Sequence, residues 1–427
     1  MTRYLTPAPQ AADTEEIARE RYMTAALTGH RTTLPGGTLP TVPAHWPAAL
    51  TPDCLEVIDV PTPYLVTDLN TVAQRHAAFS AALPGVRAFY AMKCNPAPEI
   101  LTTLAARGAG FEIASIGELR LLQRLGVDPA EVLYSNPVKP PAHIAVAHAA
   151  GLWRFSFDSP NELAKIAENA PGAAVYVRLR VDDSNSVFPL SRKFGTRVDE
   201  AFDLMLLALD LGLRPYGITF HVGSQCDNAA AWRQAIGAAG RLMSRLAVIG
   251  IRIGMLDLGG GFPARYVQPV PSIRAIGEMV EPALNELLPY RPELIAAEPG
   301  RHLVAESAVM AAGVIGRERR DDENWLFVDV SAYHGMMETL QTANGWDYPL
   351  WTSRTDHTDV LQVPFTVTGP SCDSSDTMFS GVLLPATLDV GDTLYIGSAG
   401  AYTLSYASAF NGFDPPTPLF VGTGRES

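Results

Sequence analysis

Residues 87–115 read RAFYAMKCNPAPEILTTLAARGAGFEIAS, and the order of signals within that stretch decides the fold. A short apolar run, Arg87–Lys93, ends in a turn; an amphipathic helical pattern follows over Pro98–Arg107; a second apolar run occupies Gly110–Ser115. Strand, helix, strand predicts parallel pairing, because parallel neighbours need a crossover and a helix supplies it. Ile116–Leu125 then reads as the next helix. Further apolar runs recur at Val132–Asn136, Arg154–Asp158, Val175–Val181, Tyr216–Gly223, Met255–Gly261 and Leu294–Gly300. Eight such units over about 250 residues predict an α/β fold of the (β/α)8 barrel type, with a doubly wound open sheet as the alternative. Polar residues gathered at the C-terminal ends of the runs favour the barrel.

Beyond residue 310 the rhythm changes. Asn324–Ser331, Val360–Thr368 and Thr393–Ile396 read as strands separated by turns without helices, which predicts a second, mostly antiparallel β-domain. Tyr64–Thr67, ahead of the barrel strands, is a candidate to join it. Residues 1–52 are punctuated by prolines around one helical candidate, which starts at Asp13 with Glu16 completing a capping box and stops at Gly29. The expected division is an extension over 1–52, a barrel with its preceding strand over 53–310, and a β-domain over 311–427.

Composition narrows the function. Hydrophobic residues make up 47% of the 427 and charged residues 18%, a balance that supports a large core and excludes disorder for the bulk of the chain. The net charge of −13 argues against a duplex-binding face and mildly favours cationic small molecules. Cysteines at 54, 94, 226 and 372 form no CxxC pair and no metal-type spacing, which suits a reducing cytosol. The first residues lack the apolar core of a signal peptide, and no apolar run reaches about 18 residues. A cytoplasmic enzyme or binding protein, with no membrane or nucleic-acid partner and no metal, is the expectation.

In such barrels the chemistry gathers at the C-terminal ends of the strands. Reading those ends in order gives Lys93, Glu112, Asn136, Asp158, Arg178, His221, the Gly259-Gly260-Gly261 turn, Glu298 and Arg301. A lone lysine there is a surface residue or, in an apolar site, a Schiff-base former. The triple-glycine turn is a simple tight turn or a phosphate cradle built from backbone N–H groups. Glu298 is either the salt-bridge partner of Arg301 or the anion facing a protonated ring nitrogen. His221 is a core histidine or a plate stacked on a cofactor. A phosphate cradle, a Schiff-base lysine and an acid for a pyridinium together describe pyridoxal 5′-phosphate (PLP).

At this point the motifs resemble a known family, the ornithine/diaminopimelate/arginine decarboxylases of the alanine-racemase-like fold. The resemblance rests on YAMKCN (Tyr90–Asn95), Gly110–Ser115, HVGS (His221–Ser224), DLGGGFP (Asp257–Pro263), EPGR (Glu298–Arg301), GPSCDSSD (Gly369–Asp376), GAYT (Gly400–Thr403) and FNGF (Phe410–Phe413), in order over about residues 60–420. It implies that Lys93 joins the PLP aldehyde, that Glu298 keeps the pyridine nitrogen protonated and that His221 stacks on the ring. Ser224, the Gly259–Gly261 turn, Arg301 and Tyr402 would hold the phosphate. Cys372 would reprotonate the substrate carbon from the partner subunit, and Asp373, with Tyr333 and Phe410, would receive the distal end of the substrate. The implied assembly is a homodimer with shared active sites.

Asp373 resembles the ornithine and lysine enzymes, whereas diaminopimelate enzymes usually show glutamate there. L-ornithine, giving putrescine and CO₂, is therefore the expected substrate. Lysine, diaminopimelate or a specialised secondary-metabolite or siderophore substrate is the alternative. Three departures stand out. The acidic YDHA-like run of ornithine enzymes is replaced by Gly335–Gln341 (GMMETLQ), with Glu338 or Asp347 as the substitutes at hand; Glu112 stands where aspartate is usual; and Gln225 follows HVGS in place of glycine. A racemase would place a tyrosine opposite the lysine, where this chain offers Cys372. A non-catalytic relative would lose cofactor contacts, yet Lys93, Glu298, Arg301 and Cys372 are all present.

Overall fold

The computed structural model describes residues 46–342, 346–353 and 360–423. A first strand, β1 (Tyr64–Asp68), precedes the alternation. Then come β2 (Arg87–Ala91), β3 (Gly110–Ile113), β4 (Val132–Tyr134), β5 (Arg154–Phe157), β6 (Ala174–Leu179), β7 (Ser186–Phe188), β8 (Arg214–Phe220), β9 (Ser224–Cys226), β10 (Met255–Asp257) and β11 (Leu294–Ala297). Among the described residues, eight of them close into a parallel barrel in the order β2-β3-β4-β5-β6-β8-β10-β11, and β11 returns to β2 through Ala296–Arg87 and Ala297–Ala88. Each of the eight expected runs supplies one barrel strand. Closure excludes the open sheet. β7 and β9 pair only with each other, as a small antiparallel ribbon beside the mouth.

Local chemistry explains why the chain turns where it does. Asp68 accepts hydrogen bonds from the Asn70 and Thr71 N–H groups and starts the helix Leu69–Ala82. Ser115 and Ser159 do the same for the helices Ile116–Arg124 and Pro160–Asn169 through the Glu118 and Glu162 N–H groups. Each cap satisfies a donor that the first helical turn leaves unpaired. Inside the barrel, Phe89, Leu133, Tyr176, Met255 and Ala296 pack as one buried cluster drawn from five strands. That plug leaves the strand ends free to carry polar groups.

The remaining strands are β12 (Ala308–Arg320), β13 (Glu323–Val328), β14 (Leu350–Thr352), β15 (Gln362–Thr368), β16 (Thr377–Pro385), β17 (Thr393–Ile396) and β18 (Thr417–Val421). With β1 they form an eight-stranded, mostly antiparallel sheet in the order β14-β17-β12-β13-β15-β16, and β1 lies between β12 and β18. The expected β-domain is present, and Tyr64–Thr67 belongs to its sheet. β12 and β16 carry no clean alternation: Ala308–Ala312 is buried on both faces, while Glu318–Arg320 is exposed on both. A period-two pattern needs one wet and one dry face.

One further difference from expectation bears on the site. The run Arg87–Lys93 ends as a strand at Ala91, and Met92–Cys94 form a 3-10 turn. The turn is pinned because Tyr402 N–H donates to Cys94 O at 2.9 Å and Asn95 Nδ2 donates to Gly400 O at 3.0 Å. Ahead of β1, Leu50 and Leu55 pack in one cluster with Tyr64, Val66, Val309, Ala311 and Tyr395. The helical candidate Asp13–Gly29 lies outside the described residues. Among those residues no helix is long and apolar enough to cross a membrane, and no cluster of metal ligands occurs.

Candidate active site

The turn after β2 delivers Lys93 to the barrel mouth. Its side chain is 41% exposed, so the amine is reachable, and Nζ lies 2.6 Å from Oε2 of the buried Glu112 at the end of β3. Burial works against the ammonium, but the charges of Glu112, Tyr402 and Glu298 outweigh it and raise the pKa of the amine. Glu112 is itself pushed up by burial, with Lys93 pulling the other way. The pair is a nucleophile held in check by a carboxylate.

Deeper in the barrel, Glu298 follows β11 and Asp257 closes β10. Asp257 is fully buried; its carboxylate accepts from Thr219 Oγ1 at 2.7 Å and from Gly259 N–H at 3.0 Å. Burial pushes its carboxyl above the ordinary value, and the two donors pull the other way. Glu298 accepts a hydrogen bond from Ser135 Oγ, which also lies 2.9 Å from Tyr176 OH. Burial, and then the neighbouring Asp257, push Glu298 up to about 8, and the two carboxyl groups are hydrogen-bonded to each other. Two buried carboxylates in contact cannot both ionise cheaply, so the pair retains a proton near neutral pH. Glu298 is not the partner of Arg301.

The Gly259–Gly261 turn is built for backbone alone. Gly259 and Gly261 have φ of +61° and +101°. A Cβ at Gly260 would lie 2.8 Å from His221 Nε2, and one at Gly261 would lie 2.5 Å from Gly223 O. Among the described residues the Gly260 and Gly261 N–H groups donate to no protein acceptor. His221 Nδ1 accepts from Gly223 N–H at 3.0 Å, so the neutral ring carries its proton on Nε2. Burial, Arg178 and Lys93 all lower the pKa of His221 well below the usual value, leaving a flat, uncharged plate. Gln225 occupies a left-handed backbone position, φ +58°, where glycine is the easy residue. Its amide offsets the strain by bonding Ala264 O at 2.7 Å and Ala264 N–H at 3.0 Å.

Arg301 is buried and its guanidinium faces three hydrogen-bonding partners. Nη1 donates to Glu338 Oε2 at 2.7 Å and Tyr266 OH at 2.8 Å, and Nη2 donates to the other Glu338 oxygen. Nε and Nη2 reach Ser224 Oγ at 3.4 and 3.3 Å. The Tyr402 and Phe188 rings lie 4.9 and 5.1 Å from the guanidinium carbon. Glu338 therefore does not stand in for the missing distal acid: it is spent on Arg301. Asp347, the other candidate, lines an open cavity of about 730 Å³ with Asp227, Tyr266 and Trp346.

Cys372, Asp373, Tyr333 and Phe410 gather elsewhere, on the second sheet's loops. Tyr333 OH donates to Asp373 Oδ2 at 2.7 Å, and the Tyr333 and Phe410 rings lie 4.7 Å apart. Cys372 is exposed, with Sγ 3.4 Å from Asn411 Oδ1. The Ser375 N–H, then the Tyr333 hydroxyl, lower the pKa of Asp373, which keeps it anionic. The buried Asp376 braces this loop by accepting from Ala332 N–H at 3.0 Å and Ser371 Oγ at 2.7 Å. Among the described residues no hydrogen bond or ion pair joins this set to the barrel set of the same chain.

Sequence reasoning assigned no role to Asp257, Ser135 or Tyr266. Asp257 had a visible signal, since it opens the DLGGGFP motif. Ser135 and Tyr266 had none.

The barrel set fits PLP. It presents a reachable amine, a proton-retaining carboxyl pair, a neutral plate and a glycine turn that any Cβ would fill. The family profile described as pyridoxal-dependent decarboxylase, pyridoxal binding domain, matches residues 69–305. The lysine/ornithine decarboxylase of Selenomonas ruminantium is 36% identical over 363 residues, spanning 84% of this chain and 90% of the relative. The ornithine decarboxylase of Schizosaccharomyces pombe is 33% identical over 374 residues, spanning 84% of this chain and 83% of that one. The crystal structure of the Vibrio vulnificus lysine/ornithine decarboxylase complexed with putrescine superposes with a TM-score of 0.78 at 32% identity, covering 86% of this chain and 97% of its own. By sequence over most of its length and by fold, the chain belongs to the pyridoxal-dependent decarboxylases, enzymes that use PLP to remove CO₂ from amino acids.

Proposed function

We propose that the chain decarboxylates L-ornithine to putrescine and CO₂ as part of a cytoplasmic homodimer in which each site is shared. The observation that carries the substrate is the Asp373–Tyr333 pair: an anionic carboxylate on an accessible face, its second oxygen fixed by a hydroxyl 2.7 Å away. Such a group rewards a distal ammonium, whereas a neutral or anionic end would leave the carboxylate desolvated and unpaired. L-lysine is the second reading, supported by the lysine/ornithine decarboxylases among the relatives.

When bound, PLP supplies the sink for the electron pair left on the substrate carbon as the bond to the carboxylate breaks. This chain's residues supply the rest. Lys93 offers the amine, and Glu112 takes or returns its proton at Nζ. Glu298, backed by Asp257 and Ser135, holds a proton at depth for the ring nitrogen. His221 supplies a flat uncharged face, and the Gly260 and Gly261 N–H groups with Ser224 cradle the phosphate. Cys372 Sγ of the partner subunit returns a proton to the substrate carbon, and Asp373 beside it receives the distal ammonium. Separation of the two sets within one chain supports sharing between two.

The test is CO₂ release from the PLP-loaded protein with ornithine, lysine, arginine, diaminopimelate and glutamate, each as both enantiomers. Release confined to L-ornithine, or to ornithine and lysine, supports the assignment. Preferential release from glutamate or diaminopimelate overturns it.

A further inference from the structure

We propose that Glu338 is a positioning residue for cofactor capture: it clamps Arg301 so that the guanidinium's Nε edge stays on Ser224 and holds that hydroxyl ready for the phosphate. The inference rests on the family's use of PLP and adds a residue that sits outside the barrel, on the 3-10 turn Met337–Leu340 of the second sheet.

The geometry is a fork gripped at one end. Glu338 takes Nη1 and Nη2 together, both side chains are 3% exposed, and Tyr266 OH takes a further N–H of Nη1. A bidentate carboxylate fixes the guanidinium plane as well as its position. The other edge, Nε and Nη2, points at Ser224 Oγ. A hydroxyl oxygen that accepts from both nitrogens has its own hydrogen left to donate. Ser224 thus becomes an oriented donor next to the Gly260 and Gly261 N–H groups. Without Glu338, Nη1 would keep Tyr266 and Nη2 would keep Ser224, each nitrogen would have one N–H without its acceptor among the Phe188, Tyr402 and Trp346 rings, and the side chain would turn to find acceptors. Lost preorganisation costs affinity.

Charge acts in the opposite sense. Removing the Glu338 carboxylate strips a negative charge from the neighbourhood of a phosphate dianion, which by itself tightens binding. The sign of the change therefore decides.

The experiment titrates the PLP-free full-length chain with PLP and, separately, with pyridoxal, which lacks the phosphate, following intrinsic fluorescence. With Glu338→Gln the affinity for PLP falls about tenfold or more while that for pyridoxal stays within about twofold. Glu338→Asp, which keeps the charge, retains more of the preference for PLP than Glu338→Gln. Tighter PLP binding by Glu338→Gln overturns the clamp, as do unchanged PLP binding and equal losses for the two probes, the latter showing a role in the fold alone. Should Glu338→Gln not fold, Tyr266→Phe loosens the same guanidinium, and a selective loss of about threefold is expected. Failure of the wild-type chain to bind PLP at all would refute the cofactor assignment instead.

Discussion

Lys93 Nζ lies 2.6 Å from Glu112 Oε2, and the carboxylate side chain is 2% exposed whereas the lysine is 41% exposed. The amine is thereby stored as an ammonium next to a carboxylate. In the proposed mechanism Glu112 rather than water takes that proton, so deprotonation is a local event.

That pairing sets a pH dependence. Burial lowers the Lys93 pKa, and Glu112, with smaller help from Tyr402 and Glu298, raises it by more; with the Glu112 charge removed, burial gains weight and the pKa falls. The rate at which PLP-free Glu112→Gln protein captures PLP, followed by its visible absorbance, therefore rises at lower pH than in wild type, by about one unit or more. An unmoved or alkaline-shifted profile would contradict the pairing. Lys93→Ala loses the covalent absorbance altogether.

The Asp257–Glu298 pair makes a stability prediction. Glu298, pushed up to about 8 by burial and Asp257, keeps a proton in the folded state that the unfolded chain releases near its ordinary value. Between those two values the folded state binds more protons, so stability falls as pH rises through the window. Asp257→Asn lowers the Glu298 pKa, and the loss of stability of PLP-free protein between pH 5 and 8 becomes smaller by on the order of 2–4 kcal/mol across the window, seen as a shallower fall in Tm. Parallel pH–Tm curves for the two proteins would show that the carboxyls do not share a proton.

Asp373→Asn keeps the shape and the Tyr333 contact but removes the charge. KM for L-ornithine rises about 10- to 100-fold while PLP content is unchanged. Turnover of L-norvaline, the uncharged analogue, moves little. Equal losses on the two substrates would sink the assignment of the ammonium to Asp373.

Shared sites predict complementation. Lys93→Ala and Cys372→Ala chains are each nearly inactive as pure proteins, the second retaining PLP. Co-expressed in equal amounts, they recover up to about a quarter of wild-type activity, because half of the dimers are mixed and one of their two sites is intact. Recovery no greater than the sum of the separate chains would place each site within a single subunit.

Much of this was legible along the chain, and the boundary of what was legible has a physical basis. All eight barrel strands showed themselves, because a buried parallel strand is a short apolar run and the crossover helix is an amphipathic one. The residues at their ends, Lys93, His221 and Glu298, could be read off in order, because closing the barrel brings strand ends together whatever lies between. β12 and β16 stayed hidden, since neither has one wet and one dry face. Gln225 looked like a departure from a glycine motif; only its two bonds to Ala264 show how the left-handed backbone is tolerated there.

The partners of the site residues were settled by tertiary structure alone. Glu298 meets Ser135 across 163 positions, and Arg301 meets Glu338 across 37. Spacing carries no trace of either contact, because each depends on where two unrelated turns arrive once the barrel has closed and the second sheet has docked. Residue type and strand position are local properties, and a sequence states them. Which carboxylate neutralises which cation is decided by distances that exist only in the folded chain.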